Sequence, residues 1–389
     1  MTSPFLSRIA ITAACLILLA GLVTVAALEH RRRLRAAEPT PVLTADSARC
    51  YRCHDEKTPA LSEAWRRGRH AAVGVGCMGC HRAEPADAGA VNHEGQWMIA
   101  VPTPARCGTC HPQQLTEFRA SRHADASACV ATVAEKLGGK PGALAALQRC
   151  RRCHGGPEAV EASGRPAAAT WPGGGMGRVH LDGSKGNCAA CHSRHEFSVA
   201  VARSPETCGK CHGGDEHPQL AVYLASRHGA RLQAMRGAAA LAARPWFPGR
   251  INRVAPTCAT CHLSATPSRP ATHDASARLA WQLRDFQLTR RPEFAEARAA
   301  MSEVCRACHS DRWFGTALTR IGDAATEHNR RMTEAAAGGA PATAALAVEK
   351  VVAEQRLSGD ALYRAILEAA HAGRRDLHRT ACAGPGAER

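Results

Sequence analysis

Aromatic side chains are scarce in this chain: Phe, Trp and Tyr together make up 4% of 389 residues, and only three are tyrosine. A conventional side-chain core of this length needs more bulk than that, so something other than side chains is expected to fill the interior. Acidic residues are also short, 34 against 50 Lys and Arg, for a formal net charge of +16. Taken alone, such a balance points to an acidic partner or to nucleic acid.

Cysteine and histidine are abundant instead, at 19 and 20 residues. Sixteen of the cysteines fall into eight copies of one pattern. These are CYRCH (Cys50, Cys53, His54), CMGCH (Cys77, Cys80, His81), CGTCH (Cys107, Cys110, His111), CRRCH (Cys150, Cys153, His154), CAACH (Cys188, Cys191, His192), CGKCH (Cys208, Cys211, His212), CATCH (Cys258, Cys261, His262) and CRACH (Cys305, Cys308, His309). At these frequencies chance supplies roughly 0.05 copies in the whole chain. Two thiols three residues apart on a helical turn can form thioethers to the two vinyl groups of a haem, and the next histidine then lies under the iron. Structural zinc does not require a histidine directly after each second cysteine. The expected cofactors are therefore eight covalently bound haem c groups with their iron. Their roughly sixteen propionates, offset by about one charge per ferric porphyrin, remove most of the basic excess, which excludes nucleic acid as a partner.

Residues 9–28, IAITAACLILLAGLVTVAAL, are uncharged and mostly apolar, with Arg8 before them and RRRLR shortly after. Small residues at 25–27 would suit a signal peptidase, whereas twenty residues can span a bilayer, so the run is an export signal or a single anchor, its length favouring the anchor. The arginines after it run against the positive-inside tendency for an exported body. Covalent haem attachment requires export, so the body is expected in the periplasm, anchored to the inner membrane if the run is retained.

The expected fold is mainly α with many loops, a multihaem cytochrome c body with a haem-filled core and long C-terminal helices. Residues 1–28 form the signal peptide or membrane anchor, 29–49 a linker, 50–145 an N-terminal three-haem region, 146–310 a five-haem region for catalysis and electron transfer, and 311–389 a C-terminal helical region. Residues 171–188, WPGGGMGRVHLDGSKGNC, are a Gly-rich loop. Residues 218–242 and 274–300 read as helices, as do TAALAVEKVVAEQRL and GDALYRAILEAAHAG beyond 343, with apolar positions three and four apart.

A second repeat lies outside the cysteine motifs: WRRGRH at 65–70, FRASRH at 118–123 and YLASRH at 223–228. Each has an aromatic five residues before a histidine, a small residue two before it and an arginine directly before it. The repeated context suits a second axial ligand, with the small residue letting a porphyrin approach and the arginine free for a propionate. Outside the motifs and His30 there are eleven histidines: His70, His93, His123, His180, His195, His217, His228, His273, His328, His371 and His378. Eleven exceeds eight, so the count permits every iron to be six-coordinate. A six-coordinate iron passes electrons, whereas an open one can bind and activate a small molecule.

The stretches NHEGQWMIAVPTPARCGTCHPQQLTEFRASRHA, GNCAACHSRHEF, CGKCHGGDEHPQLAVYLASRHG and THDASARLAWQLR together resemble the octahaem hydroxylamine oxidoreductase family of periplasmic enzymes, over about residues 48–386. The resemblance implies that the fourth haem, on Cys150, Cys153 and His154, is catalytic, with Glu216 and His217 over its open side. The family usually has aspartate before this histidine, so the acid here is one methylene longer. A histidine and a carboxylate there can supply the protons that accompany electrons onto an N–O species. The other seven haems would be bis-histidine carriers. Family position and local context give six distal ligands, His70, His93, His123, His195, His228 and His273. The seventh lies among His328, His371 and His378, with His371 carried forward.

Oxidising members also have a C-terminal tyrosine linked covalently to the catalytic haem. The corresponding position falls near Ala387, and Tyr363 sits within an amphipathic helix, so the resemblance implies an ordinary c haem and the reductive direction, from nitrite or hydroxylamine toward ammonia. Implied partners are the small nitrogen oxy-species, a cytochrome c or quinol-linked electron donor, and further copies of the chain, since the family often forms trimers. A non-enzymatic electron conduit, with His217 or His180 closing the fourth haem, is the alternative. Some octahaem cytochromes acting on sulfur oxyanions replace a motif histidine by lysine, and no motif here does. Cys15 lies in the apolar run. Cys129 and Cys382 fall outside the motifs and could pair or remain free thiols.

Overall fold

A computed structural model describes residues 13–26 and 41–337, apart from 139–141, 164–166, 171–172, 214–218, 244–245, 250–253, 280–281, 285–286 and 290–294. The chain divides into two units, Met1–Cys77 and Met78–Arg389. Short helices and loops dominate both, and the described strands form two two-stranded antiparallel hairpins.

In the first unit residues 13–26 are helical, with Leu16, Ile17, Leu18 and Leu22 exposed. Among the described residues no helix is long and apolar enough to cross a membrane. The helix Ala45–Lys57 starts at Thr44, whose hydroxyl accepts the Ser47 N–H, and carries the first motif. Pro59 opens the next helix, Pro59–Arg66, where its missing N–H costs nothing. The two helices are tied by the Ser62 hydroxyl donating to Asp55 at 2.9 Å and by Tyr51 against Trp65.

In the second unit the cysteine motifs sit on single helical turns. His111, His192, His212 and His309 each donate a backbone N–H to the first cysteine carbonyl of their own motif at 2.9–3.0 Å. That turn places both thiols on one side and the imidazole beside them. Among the described residues of both units, buried side chains are mostly small, among them Ala71, Ser47, Thr257, Ser264 and Ala259, with few large apolar ones such as Leu232, Trp246 and Phe314. A core of small side chains agrees with a fold filled by prosthetic groups, and the expected α body with many loops is what forms.

The expected helix over 218–242 forms as Gln219–Ala225 and Arg227–Ala234, followed by the 3-10 turn Arg236–Ala238. The expected helix over 274–300 does not form as such. Residues 275–278 are turns, Gln282–Arg284 pairs antiparallel with Gln287–Thr289, placing Leu283 opposite Leu288, and helix begins only at Ala295. The competing signal was the alternation of Leu279, Trp281 and Leu283, whose period of two belongs to a strand. Asp311–Ala337 is a 27-residue helix, and the two helices expected beyond 343 lie outside the described residues.

The Gly-rich stretch is a loop, and its described part, from 173 onward, folds back onto the fourth motif. Met176 N–H donates to Cys153 at 2.8 Å and Gly177 N–H to His154 at 3.0 Å. A Cβ on Gly175 would sit 2.2 Å from the Gly155 nitrogen and 2.6 Å from the Arg151 oxygen, while Gly155 itself has φ +79°. Only glycine permits this approach. Gly175→Ala is expected to lower stability by roughly 2 kcal/mol. Thermal unfolding of the holoprotein measures this against Gly237→Ala, where a Cβ meets open space.

Candidate functional site

The three aromatic-to-histidine repeats share a backbone device. Gly68, Ser121 and Ser226 all donate their N–H to the aromatic three residues earlier, Trp65, Phe118 and Tyr223, at 2.8–3.0 Å. All three then leave the helix in the same extended conformation, with φ near −77° and ψ of 147–163°. The small residue is thus a hinge that stops one helix and aims the histidine two positions on. Ser226 also caps the next helix by accepting the Gly229 N–H, and the Ser121 hydroxyl accepts the His123 N–H. The aromatics anchor the frame, Trp65 through its indole N–H to Val75 and Tyr223 through its hydroxyl to Pro256.

Two of these framed histidines face motif histidines. His123 lies opposite His212 with ring centres 6.3 Å apart, and His228 opposite His309 at 6.0 Å. Two further pairs have the same spacing: His195 with His81 at 6.2 Å and His273 with His192 at 6.4 Å. A metal bridging two imidazoles through bonds of about 2 Å, with about 1.1 Å from each nitrogen to its ring centre, needs about 6.2 Å. The spacing fits a haem iron between each pair.

The tautomers fit as well. Nδ1 of His81 lies 2.8 Å from the Ile99 carbonyl, that of His154 3.2 Å from the Ala126 carbonyl, and that of His54 2.8 Å from the Thr58 hydroxyl. A hydrogen bond at Nδ1 leaves Nε2 as the metal-binding nitrogen. Burial is the leading cause pushing His123, His212, His228, His262 and His273 below the ordinary histidine range, His262 to about 4. They are thereby held neutral, the form a metal takes. Trp313 stacks on the His309 ring with centres 4.0 Å apart.

The motifs adjoin one another through their cysteines. Cys107 and Cys188 lie within hydrogen-bonding reach, as do Cys208 with Cys258 and Cys211 with Cys153. Cys191 lies in the neighbourhood of Cys208, Cys80 in that of Cys107, and Cys261 in that of Cys305 and Cys308. In space the third motif thus neighbours the fifth, and the sixth neighbours the fourth, fifth and seventh.

The remaining expected residues are less closely placed. His70 is half-buried on the short helix Arg69–Ala72, and His93 is exposed at the tip of the hairpin Ala90–His93 and Gln96–Ile99, beside Glu94 and Gly95 at positive φ. Glu216, His217, His371, His378, Tyr363 and Cys382 lie outside the described residues, while His328 and Cys129 are placed on helices by their backbone alone. His180 is engaged elsewhere: its Nε2 is 2.9 Å from the Gly186 carbonyl and its Nδ1 3.6 Å from Glu158.

Sequence reasoning missed the group around Glu158. This carboxylate, with a side chain 8% exposed, lies between Arg178 and His180, 3.6 Å from each. The group borders a cavity of about 330 Å³ that Arg106, Thr109 and Asp182 also line. No motif marks it, because Glu158 and the other two are joined only by the loop folding back.

The motifs and fold define a multihaem c-type cytochrome with covalently bound haem c. Residues 147–338 match the family described as seven times multi-haem cytochrome CxxCH, and residues 106–168 match the family of cytochrome c554 and c-prime. The chain is 24% identical, over 360 residues, to a probable nitrite reductase-hydroxylamine oxidoreductase fusion protein of Kuenenia stuttgartiensis. The match takes in 74% of this chain and 36% of that much longer protein. Among solved structures, a hypothetical multiheme protein superposes with a TM-score of 0.67 at 20% identity, covering 87% of each chain. A reducing HAO-like protein complex of Kuenenia stuttgartiensis superposes with a TM-score of 0.54 at 21% identity, over 77% of this chain and 65% of its own. Multihaem c-type cytochromes are typically exported proteins.

Burial is also the leading cause holding His180 below the ordinary histidine range, against the pull of the Gly186 carbonyl and Glu158. Its folded pKa being lowered, the unfolded chain takes up the proton first, so stability falls as pH drops below about 6.5. His180→Gln is expected to flatten that fall, read from melting temperatures at neutral and mildly acidic pH. Glu158→Ala, which leaves Arg178 buried without its carboxylate, is expected to cost roughly 3 kcal/mol at neutral pH in the same melts.

Proposed function

We propose that this chain is a periplasmic octahaem oxidoreductase that reduces a small nitrogen oxy-species, hydroxylamine or nitrite, toward ammonia. The observation that carries the reading is the set of four histidine pairs at iron-bridging distance, whose motifs join the fourth motif through the Cys211–Cys153 approach. In this reading His195, His273, His123 and His228 are the distal ligands of the second, fifth, sixth and eighth haems. His70, His93 and one of His328, His371 and His378 serve the first, third and seventh. The similarity to the fusion protein and to the reducing complex supports the substrate class and the direction.

An iron held by His154 would supply an open coordination position and electrons to the N–O bond. Hydroxylamine needs two electrons and two protons to become ammonia and water, and the chain's own groups manage the protons. His217 delivers one from its ring nitrogen and Glu216 one from its carboxyl oxygen, each then reprotonated from solvent. The Ala126 carbonyl and the turn Met176–Gly177 fix the His154 ring and backbone, so the proximal side stays still while the distal side reacts. A haem held by Cys208, Cys211 and His212 would be the carrier beside the site for electrons from a cytochrome c or quinol-linked donor. If retained, residues 9–28 hold the protein at the inner membrane, and trimer formation is part of the proposal.

The histidine pairs also favour a second reading, a conduit without catalysis, in which His217 or His180 closes the fourth haem. Both ring nitrogens of His180 are turned to Gly186 and Glu158, which speaks against its half of that reading.

The purified holoprotein is expected to show one high-spin haem among seven low-spin ones in its magnetic-resonance spectrum, and to form ammonium from hydroxylamine with a reduced dye. Eight low-spin haems and no ammonium would establish the conduit. His217→Ala is expected to lower kcat about 100-fold with the haem content unchanged. His195→Ala is expected to add a second high-spin signal.

A further inference from the structure

Glu117 lies on the helix Pro112–Ala120 directly after the third motif, yet its carboxylate serves a loop 156 residues away. One oxygen, Oε2, accepts the backbone N–H of His273 at 2.8 Å and lies 3.5 Å from Nδ1 of the same residue. The other, Oε1, accepts the Gln113 side-chain amide at 2.9 Å. The loop itself is set by Asp274, which accepts the Ser276 N–H at 2.8 Å, and by the Arg122 N–H donating to the Ser276 hydroxyl at 3.4 Å. The carboxylate is thus held at both oxygens and aimed at a ring that faces His192 across 6.4 Å, with planes 25° apart.

The contrast with other ring partners gives this its meaning. Nδ1 of His54, His81 and His154 meets a hydroxyl or a backbone carbonyl, all neutral acceptors. The Glu117 carboxylate bonds the His273 backbone N–H, not its ring, yet at 3.5 Å from Nδ1 it places a negative charge beside the imidazole and so makes the ring a better electron donor to its metal. Both effects favour the ferric state and lower the reduction potential.

We propose that Glu117 is a positioning residue that holds the His273 backbone and, by its charge beside the ring, lowers the potential of the fifth haem relative to the third, its neighbour across the Cys107–Cys188 approach. The electron is then held less tightly at the fifth haem, which sets the direction in which this pair passes charge. The inference rests on the reading that His192 and His273 are the axial ligands of one iron.

The test is a spectroelectrochemical titration with parallel magnetic-resonance spectra on the holoprotein. Glu117→Gln keeps an oxygen for the backbone N–H but removes the charge. It is expected to raise the midpoint potential of one low-spin haem and shift one set of g-values, the others remaining as in the parent. Gln113→Ala removes a donor from the carboxylate, concentrates its charge and is expected to move the same haem the opposite way. This variant also decides the matter if Glu117→Gln loses haem. His273→Ala separates the two levels of the argument. If it produces a new high-spin haem while the Glu117 and Gln113 variants leave every midpoint and g-value unchanged, the role of Glu117 is overturned. If it leaves all low-spin signals intact, the ligand assignment beneath the proposal falls instead.

Discussion

An imidazole facing another imidazole across about six ångströms is the constraint on which the arrangement depends. That gap is too wide for contact between the rings and too regular to be an accident of packing, since it recurs from 6.0 to 6.4 Å in four separate places, two of them in copies of the aromatic-to-histidine frame and two outside it. Each pair joins a motif histidine to a residue 81 to 114 positions away in sequence, so each also acts as a long-range tie between loops. In an ordinary globular domain such ties are apolar side chains in contact. Here the buried side chains among the described residues are largely Ala, Ser and Thr, and the spacing of each pair is one that a metal between the rings would complete.

The cysteines carry a second level of order. A porphyrin fastened at two thioethers is fixed in place by its own helical turn, so the approach of cysteines from different motifs reports which cofactors are neighbours. The sixth motif approaches the fourth, fifth and seventh. Its position makes it the junction among these motifs. The fourth motif differs in its support, being clasped from behind by a glycine loop whose backbone bonds directly to Cys153 and His154.

How much of this was legible in the sequence depended on how local the cause was. The CxxCH turns are local chemistry within five residues, and they read off directly. The frame from Trp65 to His70, repeated at Phe118 and Tyr223, was also visible, while the helix break that its small residue makes was not. The segment after Asp274 misled because its apolar residues satisfy a helical spacing and a strand alternation equally over so few positions, and pairing between Leu283 and Leu288 decides it. The partners of Glu117 and Glu158 were beyond reach of any pattern. A carboxylate on a helix, as at Glu117, or in a loop, as at Glu158, looks like a solvated charge until the fold brings His273 or His180 to it, and nothing nearby in sequence announces the meeting.

The three hinges have a consequence for how such a molecule can change. Because the aromatic anchor, the break and the histidine all lie within six residues, each frame is a self-contained part that sets its own aim and needs little from the rest of the chain to do so. Loops between these parts can therefore lengthen or shorten while the aim of each histidine persists. A protein assembled in this way accumulates differences between its relays without losing the relays themselves, and its architecture is inherited as a kit of fittings more than as a surface of contacts.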